Sequence, residues 1–292
     1  MKTLTILLSL GILCSCDMPQ ISSEPTTQTN NAGTRPAGPP GMGIPTGGNQ
    51  QGGAQNGATT GQTTGGNAGQ QYFGNNNSGL PAGFGLYGSN VEVYQDGDFM
   101  VINTTGIPDH KSPYFSQTDS RYEAYNGSNS RFFTAPNQIS ESPGTYRIPL
   151  NPTRATTSQQ TPLGTIGVSL NGIPFYNQYA AQRAPLTNEI NTFDQYGGHP
   201  QMQGQYHYHV EPLYLTAAKG KDALLGYLLD GYPVYGPEEN GQLVSNNDLD
   251  AYHGHIHATD EYPNGIYHYH ITDADPYING SGFYGNPGTA TR

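Results

Sequence analysis

Residues 166–176 read IGVSLNGIPFY and residues 225–235 read LGYLLDGYPVY, so the two stretches align without gaps. They share glycine, leucine, glycine, proline and tyrosine at matched positions. Each is a short apolar run broken by a turn pair, with Asn171 before glycine in the first and Asp230 before glycine in the second. Such pairs are typical of two-residue β-hairpin turns, in which both central residues have positive φ. Each stretch is therefore predicted to form a β-hairpin.

Two further elements follow each of these stretches in the same order. The first is D-x-Y-x-G-H, at residues 194–199 and again at residues 250–255. The second is the tetrapeptide YHYH, at residues 206–209 and 267–270. The three elements repeat with offsets of 59, 56 and 61 residues, which indicates a tandem duplication. One unit is too small to close a core of its own, so the two copies are expected to pack around a pseudo-twofold axis.

The rest of the sequence favours strands as well. Short alternating runs such as VEVYQDGDFMVI, residues 91–102, recur between turn residues, and no long stretch has apolar residues at helical spacing. The sequence therefore predicts an all-β single domain at residues 86–292, built as a sandwich or a barrel from a tandem pseudo-twofold repeat of β-hairpin units. The internal repeats are expected at about residues 164–212 and 223–273.

Residues 1–16, MKTLTILLSLGILCSC, have the character of a secretory signal peptide. A lysine precedes an apolar run, at residues 4–13, that is too short to span a membrane. The ending LCSC resembles the lipobox of bacterial lipoproteins, which implies that Cys16 is lipidated and anchors the protein in the cell envelope, facing the periplasm or the exterior. An ordinary cleaved signal is the alternative. Residues 17–85 are rich in glycine, asparagine, glutamine and threonine, so they are predicted to form a disordered tether.

The charge balance and the cysteines restrict the partners. The chain has a formal net charge of -11 and no basic cluster, which argues against binding to nucleic acid or to anionic lipid. Cys14 and Cys16 are the only cysteines, so the exported part has no disulfide and no thiolate metal ligand. Membrane contact is expected through the lipid anchor, and a partner in the cell wall or envelope is left open.

The histidines are concentrated in the repeated elements. Side chains two apart on a strand point to the same face, so each YHYH tetrapeptide presents two histidines on one face and two tyrosines on the other. If the copies meet across the axis, four imidazoles converge on one site, and each D-x-Y-x-G-H element adds one more histidine. The candidate metal ligands are His207, His209, His268, His270, His199 and His255, with His253 and His257 as further candidates.

Neutral imidazole is the commonest protein ligand for zinc and copper. A site without cysteine is rich in nitrogen, which suits Cu(II), Zn(II), Fe(II) or Ni(II), and the predicted cofactor is a transition metal ion, copper or zinc. Asp194 and Asp250 are expected to orient imidazoles by hydrogen bonding, or to bind the ion directly if it is iron or manganese. The alternative is a hydrogen-bonded layer of histidine and tyrosine without an ion. His110 stands outside the repeat.

Four further motifs, GIPDH, NGIPFYN, GGHP and LDGYPVYGP, accompany the paired tetrapeptides. Together they resemble the YHYH domain family of exported bacterial proteins, over about residues 87–285. The resemblance implies export, but the family name describes a sequence and implies no activity. Members of that family often have cysteine where this chain has Tyr196 and Tyr252. If a disulfide or thiolate ligand belongs to that family's function, this chain is expected to lack it.

Three classes of function follow from these features. The first is a lipoprotein that sequesters, delivers or senses copper or zinc at the cell envelope. The second is a metal-dependent envelope enzyme, hydrolytic through metal-activated water or oxidative through copper. The third is a module that binds the cell wall or carbohydrate, with structural histidines. Metal binding at a single site is favoured, and no catalytic residue is assigned because no acid or nucleophile stands apart from the histidines.

Overall fold

The structure of the protein, a computed structural model, describes residues 70–72 and 80–292. The predicted signal peptide, the predicted lipidation site Cys16 and the predicted linker up to residue 69 lie outside the described residues, as do residues 73–79. Within the described ranges, none of the helices has the length and apolar character needed to cross a membrane.

Strands dominate the described part of the chain, which also holds one α-helix and short 3-10 helices. The strands are β1 (Gln70–Tyr72), β2 (Val91–Asp96), β3 (Phe99–Thr104), β4 (Gly144–Pro149), β5 (Thr165–Ser169), β6 (Pro174–Tyr176), β7 (Gly198–Pro200), β8 (Tyr206–Tyr208), β9 (Leu224–Leu228), β10 (Pro233–Tyr235), β11 (Glu238–Glu239), β12 (Gln242–Leu243), β13 (Gly254–His257), β14 (Ile266–His270) and β15 (Thr289–Thr291). The α-helix is α1 (Leu213–Lys219), and the 3-10 helices are Phe84–Leu86, Ala181–Arg183, Glu189–Thr192 and Asn246–Asp248. The predicted all-β class is confirmed.

The strands form two main sheets that share one hydrophobic core. One sheet has the order β1-β2-β3-β4-β15, the other has the order β13-β14-β10-β9-β5-β6-β8-β7, and β11 and β12 form a separate pair. The core includes Val93 and Ile102 from the smaller sheet and Ile166 and Leu225 from the larger one. Alternate positions of β2 are buried, as expected for a strand with one face toward a core. Among the described strands neither sheet closes on itself, so they do not form the predicted alternative of a barrel.

The larger sheet is symmetric about its centre. Read from its two ends, β7-β8-β6-β5 and β13-β14-β10-β9 are the same elements of the two repeats, and they meet where β5 pairs with β9. In that antiparallel pair Val168 lies opposite Tyr227, which is its matched residue in the repeat. The matched glycines Gly167 and Gly226 lie on either side of this pair. The predicted duplication is confirmed, and its pseudo-twofold axis passes through the Val168–Tyr227 pair.

Both predicted hairpins form, but their turns differ from the predicted type. Gly172 and Gly231 have φ angles of 79° and 89°, whereas Asn171 and Asp230 do not have positive φ. In the first hairpin the Gly172 N–H donates to the carbonyl of Ser169 at 2.8 Å, and the second hairpin is closed in the same way. The Ser169 hydroxyl also donates to the Asn171 side-chain oxygen at 2.6 Å. Only the glycine of each pair needs the left-handed conformation.

Packed structure begins inside the segment assigned to the linker. β1 pairs antiparallel with β2. Phe84 is buried, and its ring stacks on Tyr227 with centroids 4.2 Å apart. The Tyr227 and Tyr262 hydroxyls both donate to the carbonyl of Ala82, at 3.0 and 3.2 Å. Residues 80–85 therefore lie against the symmetry axis of the large sheet.

Candidate metal centres

Each repeat builds its own cluster of three histidines and one glutamate. The first cluster consists of Glu189, His199, His207 and His209, and the second of Glu239, His255, His268 and His270. Within each cluster one ligand atom per residue lies within 4.8 Å of the others. The six histidines that were predicted as the main metal ligands therefore all lie in these two clusters.

The expectation that the four tetrapeptide histidines converge on one site is wrong. The first tetrapeptide starts on β8 and the second lies on β14, and four other strands separate these two in the sheet. At about 4.8 Å per strand spacing, the two tetrapeptides are roughly 24 Å apart. The repeat axis passes between β5 and β9, so the duplication produces two separate sites instead of one shared site.

The partner of each tetrapeptide is the D-x-Y-x-G-H element of the same repeat. β7 pairs antiparallel with β8 so that His199 lies opposite His207, and β13 pairs with β14 so that His255 lies opposite His268. Opposed residues of an antiparallel pair have side chains on one face at close range. The two motifs are therefore the two strands of one site, which explains why they are duplicated together.

The glycine and the aspartate of each D-x-Y-x-G-H element serve the first tyrosine of the tetrapeptide. A Cβ on Gly198 would lie 2.5 Å from the Tyr206 ring, so only glycine leaves room for that ring. The Tyr206 hydroxyl donates to Asp194 at 2.8 Å, and the matched tyrosine donates to Asp250 at 2.8 Å. Both carboxylates also accept backbone N–H groups of their own turn. These contacts stand in place of the predicted contact between each aspartate and an imidazole.

Backbone carbonyls orient the imidazoles instead. In the first cluster the His207 Nδ1 lies 3.1 Å from the carbonyl oxygen of Gln205, and the His209 Nδ1 lies 2.5 Å from that of Asn177. In the second cluster the His268 Nδ1 lies 3.0 Å from the carbonyl oxygen of Ile266, and the His270 Nδ1 lies 2.8 Å from that of Gly236. Because a carbonyl only accepts, Nδ1 carries the proton in each ring and Nε2 carries a lone pair. The Nδ1 of His199 lies 2.8 Å from the Thr192 hydroxyl, which itself donates to the carbonyl of Glu189 at 2.7 Å. His199 therefore has the same tautomer.

The Nε2 atoms point at one another in the centre of each cluster. The Nε2 of His207 lies 3.1 Å from that of His199 and 3.0 Å from that of His209. In the second cluster the Nε2 of His268 lies 3.1 Å from each of the two other Nε2 atoms. Donor atoms around a tetrahedral zinc ion, at bonds of about 2.05 Å, are about 3.3 Å apart. The nitrogen spacing is close to that of a coordination sphere.

A carboxylate completes each set of donors. Glu189 Oε1 lies 3.1 Å from the His199 Nε2 and 3.9 Å from the His209 Nε2. Glu239 Oε1 lies 3.3, 3.6 and 3.8 Å from the three Nε2 atoms of the second cluster. Three nitrogens and one oxygen form a tetradentate set that suits zinc, copper, iron or manganese.

Burial favours the neutral form of His207, His209, His268 and His270. It lowers the pKa of His207 well below the ordinary value, with the neighbouring imidazoles acting in the same direction. Burial likewise lowers the pKa values of His209 and His268 to about 4 and also lowers the pKa of His270. Imidazoles that are neutral at pH 7 have Nε2 lone pairs available for a cation.

The remaining candidates lie in different places. His257 joins the second cluster at its edge, with Nδ1 3.0 Å from Glu239 Oε1. His253 does not join: it has a φ of 76°, which breaks the alternation assumed for HGHIH, and its Nε2 lies 3.1 Å from the Thr272 hydroxyl. His110 packs among tyrosines on the opposite face, where its Nε2 lies 3.0 Å from the Tyr208 hydroxyl.

The two glutamates were missed because the repeat does not mark them. Glu189 begins a 3-10 helix ahead of β7, whereas Glu239 ends β11, soon after the second hairpin. The two residues do not occupy matched positions when the repeats are aligned. No sequence signal distinguishes them from the other acidic residues of the chain, and only the folded loops bring them to the imidazoles.

Comparison with known protein families matches the part of the chain that contains both clusters. The model of the family described as "YHYH protein" matches residues 145–242 and 238–282, which include both clusters. No curated protein and no solved structure matches the chain.

Proposed function

Residues 145–282 belong to the YHYH family of exported proteins, and from this membership and the two clusters we propose that the protein binds two transition metal ions, one in each repeat. The ions are zinc or copper. Their binding serves sequestration, delivery or sensing of the metal at the cell envelope.

The observation that carries this proposal is the convergence of lone pairs in the first cluster. Three Nε2 atoms without protons face one another at 3.0 and 3.1 Å, and a carboxylate oxygen lies 3.1 Å from one of them. Without a cation these four acceptors repel one another in a buried space, and such an arrangement is costly. A divalent ion removes the repulsion and uses every donor.

The donor set narrows the choice of metal. Three imidazole nitrogens and one carboxylate at near-tetrahedral spacing suit Zn(II), which has no geometric preference of its own and is usually four-coordinate in closed sites. Cu(II) binds such nitrogen-rich sites more tightly but favours a tetragonal arrangement.

The location that we propose is the membrane surface of the cell envelope, with Cys16 as the lipid attachment point and the following residues as a tether. Replacement of Cys16 by serine is expected to move the protein from the membrane fraction to the soluble exported fraction, as immunoblotting of fractionated cells measures. Retention of the C16S variant in the membrane fraction would contradict the anchor while leaving the metal proposal intact.

Elemental analysis of the full exported protein tests the metal proposal. The protein purified after dialysis is expected to contain two ions per chain. Single variants His207→Ala and His268→Ala should each retain one ion, and the double variant none. His110→Ala, which removes a buried histidine outside both clusters, is the matched control and should retain both ions. Absence of bound metal from the wild-type protein, before and after incubation with Zn(II) or Cu(II), would overturn the proposal.

A second candidate function is metal-dependent hydrolysis at the second cluster. That cluster lines a cavity of about 410 Å³, and catalytic zinc sites keep one position open to water and substrate. Hydrolysis of chromogenic esters or phosphoesters by the zinc-loaded protein, lost in His268→Ala and kept in His207→Ala, would favour it. The carbohydrate-binding alternative has less support, because all four tyrosines of the tetrapeptides are buried and offer no stacking surface.

A further inference from the structure

The two clusters differ in their access to solvent. His199, His207 and His209 of the first cluster are all buried. The His255 side chain of the second cluster is 25% exposed. His268 and His270 line the cavity of about 410 Å³, which the acidic side chains Asp222, Glu238, Glu239, Asp260 and Glu261 and the basic side chain Lys219 also line. An excess of carboxylates in a concave site raises the local concentration of cations.

Aromatic side chains cover the first cluster. Tyr176 stacks on His207 with ring centroids 3.9 Å apart, and Phe193 stacks on His209 at 5.6 Å. Arg292 donates a hydrogen bond to the Tyr176 hydroxyl and holds this cover in place. The imidazoles of the first cluster are thus covered by rings, and Glu189, 27% exposed, is its ligand nearest to solvent.

The matching tyrosine of the second repeat does not cover its cluster in this way. Tyr235, the counterpart of Tyr176, meets His268 edge-on, with centroids 5.0 Å apart. Its hydroxyl lies 2.7 Å from both the Thr259 hydroxyl and the Glu261 carboxylate, on the cavity wall. The Tyr235 ring therefore does not stack over the His268 ring, although His268 itself is buried at the cavity wall.

His257 supplies a further donor at the mouth of the second cluster. Its side chain is 46% exposed, and its Nδ1 lies 3.0 Å from Glu239 Oε1, the oxygen that faces the buried imidazoles. In the first repeat the matched residue is Gln201, which cannot replace an imidazole as a ligand. Both clusters have a partly exposed carboxylate, but of the two only the second has an exposed histidine beside it, which a metal ion meets before the buried ligands.

We propose that the two clusters have different roles: the first retains its ion as a permanent part of the fold, and the second exchanges a divalent transition metal ion with solution through the acidic cavity, with His257 and Glu239 as the first ligands. This inference rests on the proposed metal binding and assigns transport or buffering to one repeat alone. A closed set of ligands is typical of structural sites, whereas a site that admits an outside ligand keeps one position open.

The kinetics of zinc transfer to an excess of the chromogenic chelator 4-(2-pyridylazo)resorcinol test this. The full protein, loaded with zinc, is expected to release one ion in a fast phase and one in a slow phase. His268→Ala should remove the fast phase and His207→Ala the slow one. His257→Gln, which installs the residue of the first repeat, should slow the fast phase by about tenfold, the size of effect typical of groups that assist metal ligation, and leave the slow phase unchanged.

The charge of the cavity gives a second measurement. Asp260→Asn should slow zinc uptake at the second cluster at low ionic strength, and the difference from wild type should shrink as salt is added. Asp98→Asn, which removes an exposed carboxylate in the β2–β3 turn, is the matched control and should leave uptake unchanged.

The outcomes separate this inference from the proposal beneath it. Release of both ions in a single phase, loss of the slow phase in His268→Ala, or an unchanged fast phase in His257→Gln would overturn the division of roles while leaving two metal sites. Failure of the protein to bind zinc at all would overturn the metal proposal itself.

Discussion

Asp230 is a fully buried carboxylate in the second hairpin turn, at the position that Asn171 occupies in the first. The Tyr269 hydroxyl donates to it at 2.6 Å, and the Gly285 N–H donates at 2.9 Å. Burial raises its pKa to about 6, although these hydrogen bonds act in the opposite direction. The residue therefore accepts a proton more readily in the folded protein than in the unfolded chain.

This shift predicts a pH-dependent loss of stability. A carboxyl group whose pKa is higher in the folded state lowers the free energy of unfolding as pH rises through the interval between the unfolded and the folded pKa, here from about 4 to about 6. Asp230→Asn should remove that loss, so that the variant gains up to about 3 kcal/mol relative to wild type between these pH values.

Urea unfolding at several pH values between 4 and 7 measures the difference. Asp98→Asn, an exposed acidic residue in the β2–β3 turn, is the control and should run parallel to wild type. Parallel curves for wild type and Asp230→Asn would contradict the raised pKa.

At the scale of single residues, the sequence predicted the six cluster histidines because their type and spacing repeat. The position of a carboxylate in a loop carries no such pattern, and Glu189 and Glu239 reach the imidazoles only through the path of those loops. The function assigned to Asp194 and Asp250 was wrong for a related reason. Each aspartate is close in sequence to a histidine and a tyrosine, and sequence alone does not tell which of the two its carboxylate contacts. In the structure both carboxylates accept a hydrogen bond from a tyrosine hydroxyl.

At the scale of elements, each centre is a pair of short antiparallel strands, β7–β8 or β13–β14. The hairpins, the duplication and the pairing of histidines on one face could be predicted, because alternation and turn residues are local signals. The order of strands in the sheet could not, because it depends on which edges meet in the folded chain. The pairing of β5 with β9 puts the two tetrapeptides on opposite sides of the axis, and this separates the sites.

The matched glycines provide a test at this scale. Gly198→Ala places a methyl group against the buried Tyr206 ring and should cost about 1–3 kcal/mol of stability by overpacking. It should also weaken zinc binding at the first cluster, because Tyr206 precedes His207 on β8. Gly254→Ala is the symmetric control, since its Cβ would lie 2.5 Å from the Tyr267 hydroxyl, and it should affect the second cluster alone.

Elemental analysis and thermal unfolding of both variants measure these effects. Loss of both ions in either variant would contradict the independence of the two strand pairs. Unchanged stability in both would show that the tyrosine rings have room to move, contrary to the close contacts described above.

At the scale of the whole molecule, the distance between the clusters predicts that they act independently. Sites more than about 10 Å apart with no shared partners usually contribute additively to stability, within about 0.5 kcal/mol. The losses of unfolding free energy in zinc-loaded His207→Ala and His268→Ala should therefore sum to the loss in the double variant. A coupling larger than this, measured by a double-mutant cycle in urea, would contradict the independence of the two repeats.

The residue at which the folded domain begins depends on packing across the whole molecule. A boundary at residue 86, chosen from composition, separates Phe84 from the ring of Tyr227, on which it stacks beside the pseudo-twofold axis. Composition averages over many residues and therefore does not register a single buried phenylalanine at the end of a polar segment. Phe84→Ala removes a buried aromatic ring and is expected to cost about 3–5 kcal/mol of stability.

The zinc content should stay at two ions per chain in Phe84→Ala, because neither cluster contacts this ring. Leu86→Ala, which shortens an exposed side chain two positions further on, is the matched control and should cost little. Thermal unfolding of the full protein and its variants provides the measurement. Equal melting temperatures for Phe84→Ala and wild type would place the boundary where composition put it. A large drop confined to Phe84→Ala would instead mean that residues 80–85 are part of the domain, because Phe84 packs on Tyr227 at the pair of strands where the two repeats meet.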